Sequence, residues 1–136
     1  MLRRSRAREV VLQILYQDDL NPGGQQQTAD SFLKSRLHAD EELTAFARSL
    51  LSGVRRNRGE LDQLLTKTAE NWSLERMAVT DRNVLRLGAF EILYTETPDR
   101  VAINEAVELA KRFGTDQSSQ FVNGILDRFL QDRGSE

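Results

Sequence analysis

The stretch Val84-Leu85-Arg86-Leu87-Gly88-Ala89-Phe90-Glu91-Ile92-Leu93-Tyr94 decides the fold. Wound as a helix, its apolar residues Val84, Leu85, Leu87, Ala89, Phe90, Ile92, Leu93 and Tyr94 point almost all round the axis. A helix without a polar face belongs inside, wrapped by others. Arg86 in its middle then requires a carboxylate partner, because an unpaired buried charge is costly. Gly88, and Gly124 further on, each cost roughly 1 kcal/mol against alanine inside a helix. Close helix crossings are the expected reason for both. Upstream, Thr80 reads as the N-cap, with Asp81 favouring the first turn.

Working outward, apolar stripes of helical period continue in both directions. Ala7, Val10, Val11, Ile14 and Leu15 form the first, which ends before the breakers Asn21-Pro22-Gly23-Gly24 and a polar loop over 21–27. A helix over about 28–37 carries Phe32, Leu33 and Leu37. A longer one follows Asp40 with Leu43, Phe46, Ala47, Leu50 and Val54, and has Gly53 near its end. Leu61, Leu64 and Leu65 mark a short helix stopping near Asn71, and Trp72, Leu74 and Met77 make a small apolar cluster. Beyond Pro98, the stripe Ile103, Ala106, Val107, Ala110 and Phe113 ends at Gly114, a C′ residue by its position. Ser118 or Ser119 caps the last helix, whose stripe is Phe121, Val122, Ile125, Leu126 and Phe129. Strand-like alternation and internal repeats are both missing from the sequence. The prediction is one all-α domain over 1–136: about seven helices in two packed subbundles, about 1–70 and 71–136.

Composition agrees with a folded globular chain, with 39% hydrophobic and 29% charged residues among 136. The sequence has no cysteine, which excludes disulfides, thiolate metal sites and cysteine nucleophiles and fits a reducing cytoplasm. No secretory h-region follows the first residues, and no run of about 18 apolar residues offers a membrane span. Net charge is −2, but residues 1–16 hold Arg3, Arg4, Arg6 and Arg8 against Glu9 alone, a balance of +3 that leaves −5 for the rest. A basic arm on a mildly acidic body can bind nucleic acid without a basic pI. Of the 19 basic residues 16 are arginine, whose planar fork suits phosphates and base stacking, although genomic composition produces the same bias.

Enzymatic chemistry finds no foothold. Glycine-rich phosphate loops and nucleophile elbows are absent from the sequence. His38 is the lone histidine and reads as solvent-facing or capping. Asp18-Asp19 and Glu41-Glu42 read as solvated faces. No catalytic residue, metal or cofactor is expected.

Two features carry information. The four arginines oppose the positive end of a helix dipole, so either the arm is not helical or it forms an anion site. The other is Lys111-Arg112-Phe113-Gly114-Thr115-Asp116-Gln117-Ser118-Ser119-Gln120-Phe121, a basic helix end, a tight turn and a new helix N-terminus. Backbone N–H groups there suit a phosphate, and Phe121 fits either the core stripe or a stacking face for an unpaired base.

The segments Arg3-Arg4-Ser5-Arg6-Ala7-Arg8-Glu9, Asp81-Arg82-Asn83-Val84-Leu85-Arg86-Leu87, Val101-Ala102-Ile103-Asn104-Glu105-Ala106 and Phe121-Val122-Asn123-Gly124-Ile125-Leu126-Asp127 together resemble the bacterial NusB transcription antitermination family, in order along the chain. The resemblance implies a non-enzymatic, two-subdomain RNA-binding protein that pairs with NusE, a small-subunit ribosomal protein. The pair would hold boxA RNA within the RNA polymerase antitermination complex during ribosomal RNA synthesis. By position, Arg3, Arg4, Arg6, Arg8, Lys111, Gln117, Ser118 and Phe121 would bind RNA, and Tyr16 and Asp81 would meet NusE. Monomer and homodimer both stay open. Gln117 departs from the family, which often has aspartate there. Two rivals are an RNA cytosine methyltransferase, disfavoured by the missing cysteine and by a length without room for a catalytic domain, and a general helical nucleic-acid-binding regulator.

Overall fold

The computed structural model describes residues 3–22, 26–70 and 72–134. Those residues form seven α-helices and one 3₁₀ turn, without strands: α1 (Arg3–Leu20), α2 (Gln26–Arg36), α3 (Glu41–Arg56), α4 (Arg58–Thr68), the turn Leu74–Arg76, α5 (Val79–Tyr94), α6 (Asp99–Phe113) and α7 (Ser118–Gly134). The all-α expectation holds. Residues 23–25 of the predicted loop and Asn71 lie outside the described residues.

Helix α5 is the hub, packing against α1, α3, α4, α6 and α7. Val84, Leu85, Leu87 and Ala89 are all but fully buried. The all-round burial ends one turn early, since Ile92 and Leu93 are half-buried and the Tyr94 ring reaches the surface. There its hydroxyl donates to Glu60 Oε1 at 2.6 Å. Helix α1 lies mainly on α3, while α6 and α7 pack on each other and on α5. Helix α4, early in the chain, touches α5 and α7 more than it touches α3. One continuous apolar core joins all seven helices.

Several local expectations need correction. Helix α5 begins at Val79 behind Ala78, which makes no side-chain cap bond, so Thr80 lies inside the first turn rather than capping it. Gly114 is extended, not left-handed (φ −98°). Glycine is needed there because a Cβ would sit 2.4 Å from Ser118 Oγ and 2.8 Å from the Ala110 carbonyl oxygen. Gly88 does mark a close crossing, with a Cβ position 2.8 Å from Leu126 Cδ1, whereas the same position on Gly124 meets nothing within 4 Å. Packing therefore does not explain Gly124. Trp72 is also no core residue: Leu74 and Met77 are buried, but Trp72 is 55% exposed.

The largest correction concerns Asp18-Asp19. Asp18 accepts two bonds from Arg55, at 2.7 and 2.8 Å. The Asp19 side chain is 2% exposed and sits among Arg58 (2.6 Å), Arg82 (2.9 Å) and Arg86 (3.0 Å), with Asn83 Nδ2 donating at 2.6 Å. Burial opposes ionisation of Asp19, but hydrogen bonds from Arg82 and Asn83 and the charges of Arg86 and Arg58 outweigh it and hold the carboxyl below its ordinary value. Arg86 finds its predicted carboxylate here, and a second in Asp62, which takes its fork at 2.7 and 3.0 Å. This network ties the end of α1 to α4 and the start of α5.

Candidate nucleic-acid interface

Helix α1 starts at Arg3, so the arginine arm is helical and its first turn contains no acidic residue. At 100° per residue, Arg3, Arg4 and Arg6 leave the helix in different directions, while Arg8 follows Arg4 one turn on. Arg3 is exposed and pairs with Asp40, the N-cap of α3. The exposed Arg4 lays its guanidinium over the Phe46 ring, 4.4 Å from the centroid. Arg6 donates to Glu9 Oε2 at 3.0 Å. The exposed Arg3–Asp40 pair is worth little in water, so a phosphate can replace that carboxylate at little cost, whereas the Glu9 carboxylate that Arg6 meets is only 4% exposed.

Arg8 is different. It is 3% exposed, and its fork donates to both oxygens of Glu91, Nε at 2.8 Å and Nη2 at 2.7 Å, with Glu105 3.4 Å away. Thr97 adds a hydroxyl donor to Glu91 at 3.1 Å. A buried bidentate pair with a satisfied acceptor is not exchanged for solvent-borne phosphate. The Arg8 side chain therefore belongs to the seam between α1, α5 and α6, and, unlike Arg3 and Arg4, it is not presented to solvent where RNA would lie.

The arm and the distant turn meet at Glu9, a nearly buried carboxylate that takes Arg6 on one oxygen and Arg112 on the other. Arg112 lies two residues before Gly114, so the end of α6 stands beside the start of α1. Lys111 is exposed and loosely paired with Glu108 at 3.4 Å. In the turn itself Gln117 is exposed, while Ser118 is buried and its Oγ accepts the Thr115 N–H at 2.9 Å. Ser118 thus shapes the turn and does not face outward as a ligand contact or as a cap of α7. Phe121 is half-buried, edge-to-face with Trp72 at 5.2 Å between centroids.

Tyr16 and Asp81 are brought to a separate place. Tyr16 is 40% exposed near the C-terminal end of α1, and Asp81 is half-exposed beside Arg82, which Asp19 binds. Twelve residues of helix, about 18 Å, separate Arg4 from Tyr16. Leu20 is 62% exposed one turn beyond Tyr16 and was missed by the sequence reading, although it falls outside the apolar stripe of α1. Phe46 packs against the core as its place in the α3 stripe predicts, but it is only half-buried, and spacing says nothing of the arginine above it.

These features define a small all-helical protein whose α1 start and α6–α7 connection share one arginine-bearing surface. The NusB family model matches residues 5–131. The transcription antitermination protein NusB of Anaeromyxobacter dehalogenans is 45% identical, covering 93% of this chain and 89% of that protein. Its Myxococcus xanthus counterpart is also 45% identical, covering 92% of each. In structure, NusB from T. maritima superposes with a TM-score of 0.85 at 38% identity, covering 95% of this chain and 91% of that one. A chain of the crystal structure of antitermination factors NusB and NusE in complex with double-stranded RNA has the same fold, with a TM-score of 0.85 at 24% identity over 96% and 97% of the two chains. The chain belongs to the NusB family, whose relatives named here are transcription antitermination proteins rather than enzymes.

Proposed function

We propose that this chain binds boxA-type single-stranded RNA together with NusE and supports processive transcription of ribosomal RNA operons as part of the RNA polymerase antitermination complex in the cytoplasm. The observation that carries the reading is Glu9, which joins Arg6 of the arm to Arg112 at the turn and makes two remote basic segments one surface. Arg3, Arg4, Arg6 and Lys111 take phosphates, Gln117 and Phe121 meet the RNA at the turn, and Tyr16 and Asp81 face NusE. A structural neighbour solved as NusB and NusE with double-stranded RNA supports the pairing with NusE. The decisive experiment is equilibrium binding of boxA RNA, a scrambled RNA and a duplex, with and without NusE, at two salt concentrations. A boxA preference strengthened by NusE is the expected result. Equal, salt-sensitive binding to all three with no effect of NusE would replace the reading with a general nucleic-acid binder.

A further inference from the structure

Trp72 is the one tryptophan of the sequence and stands on the surface with more than half of its area in water. Its ring meets Phe121 at 74°, an edge-to-face contact that fixes the two rings against each other. Phe121 lies in the first turn of α7, directly after the α6–α7 turn. Two helical turns further along α7, on the same side, Arg128 reaches toward Glu70, two residues before Trp72. That ion pair spans 3.8 Å, too long for a hydrogen bond, and both partners are more than half exposed. The patch thus combines a braced indole, a loosely held guanidinium and continuity with the turn through Phe121.

We infer that Trp72 is a base-stacking residue: its indole, braced by Phe121, stacks on one unpaired base of the RNA that reaches the α6–α7 turn, while Arg128 faces a neighbouring phosphate. The inference rests on the proposed RNA-binding role of that turn. A single-stranded nucleic acid suits the patch because every base offers a flat π-face to an aromatic ring, and a cation beside the ring takes the backbone charge.

The single tryptophan serves as its own probe. The full chain is titrated with boxA-type single-stranded RNA and with the same RNA carrying one abasic position at a time. Tryptophan emission is followed together with the anisotropy of labelled RNA. Emission is expected to fall in step with binding, and one abasic position is expected to abolish that change. Trp72→Ala should bind about 5- to 150-fold more weakly. The slope of log K against log salt should not change, since stacking releases no counterions. Trp72→Phe should recover much of the loss, and both variants should melt like the parent. RNA binding that depends on Arg4 but leaves emission and Trp72→Ala affinity unaltered would overturn the stacking role and leave the RNA reading standing. No binding by either signal would overturn both. Emission that responds to NusE alone, and not to RNA, would assign the patch to the protein partner and overturn the inference.

Discussion

Arg4 and Arg8 lie one turn apart on α1 and differ in what surrounds them. Replacing Arg8 with alanine leaves Glu91 buried without its fork, so Arg8→Ala should lose about 3–5 kcal/mol of stability. Arg4→Ala should stay within about 0.5 kcal/mol of the parent and lose RNA affinity. Thermal melts and RNA titrations of the two variants would separate the roles, and equal melting temperatures would contradict the assignment. Asp19→Asn should cost about 3 kcal/mol near neutral pH, because three arginines lose their shared carboxylate. The folded-state pKa of Asp19 lies below its ordinary 3.8, so its contribution is complete above that value and is lost as pH falls through the depressed one. The stability gap between parent and Asp19→Asn should therefore narrow below about pH 3.8; urea melts at pH 7 and pH 3 that show the same gap would refute this. At the turn, Gln117→Asp places a negative charge beside the proposed phosphates and should weaken boxA binding, most clearly at low salt. Composition identified the arginines as a group. It did not show which one is buried, because Arg8 finds Glu91 eighty-three residues away.

Helical glycines show how an element's neighbours set the sign of a substitution. A Cβ on Gly53 of α3 would lie 2.1 Å from Phe90 Cζ, where the ring of α5 rests on the α3 backbone. Gly53→Ala should destabilise by about 1–3 kcal/mol through overpacking. Gly124 of α7 has open space, and Gly124→Ala should stabilise by about 0.5–1 kcal/mol through helix propensity alone. Chemical denaturation of both variants would check the opposite signs, and a matching sign would remove the packing argument. The end of α2 supplies another case. His38 and Ala39 both adopt positive φ, 54° and 57°, and the Ala39 N–H closes the helix on the Lys34 carbonyl at 2.8 Å. Left-handed backbone disfavours a Cβ, so Ala39→Gly should gain up to about 1 kcal/mol. Apolar spacing located each of these helices to within a few residues. Gly53 and Gly124 look alike in sequence because periodicity describes one helix and carries no record of what crosses it.

For the molecule as a whole, the arrangement of charge predicts an ionic signature. Four arginines on single-stranded RNA would make log K fall with log salt at a slope of about −3, but with Arg8 inside the core the arm alone contributes about −2. A slope near −2 for arm-dependent binding, measured as the parent minus an Arg3, Arg4 and Arg6 triple alanine variant, is the expected outcome. A difference near zero would remove these three arginines from the phosphate contacts. The all-α class, the central helix, the arginine arm and the α6–α7 turn were all legible in the sequence, because each is written in residues close together along the chain. Helical period 3.6 and the scarcity of proline and glycine leave little choice of secondary structure. The burial of Arg8 and Asp19, the junction at Glu9 and the exposure of Trp72 were decided only by tertiary structure. Each depends on side chains brought together from separate helices, and an ion pair or an aromatic contact is governed by distance in space rather than along the chain.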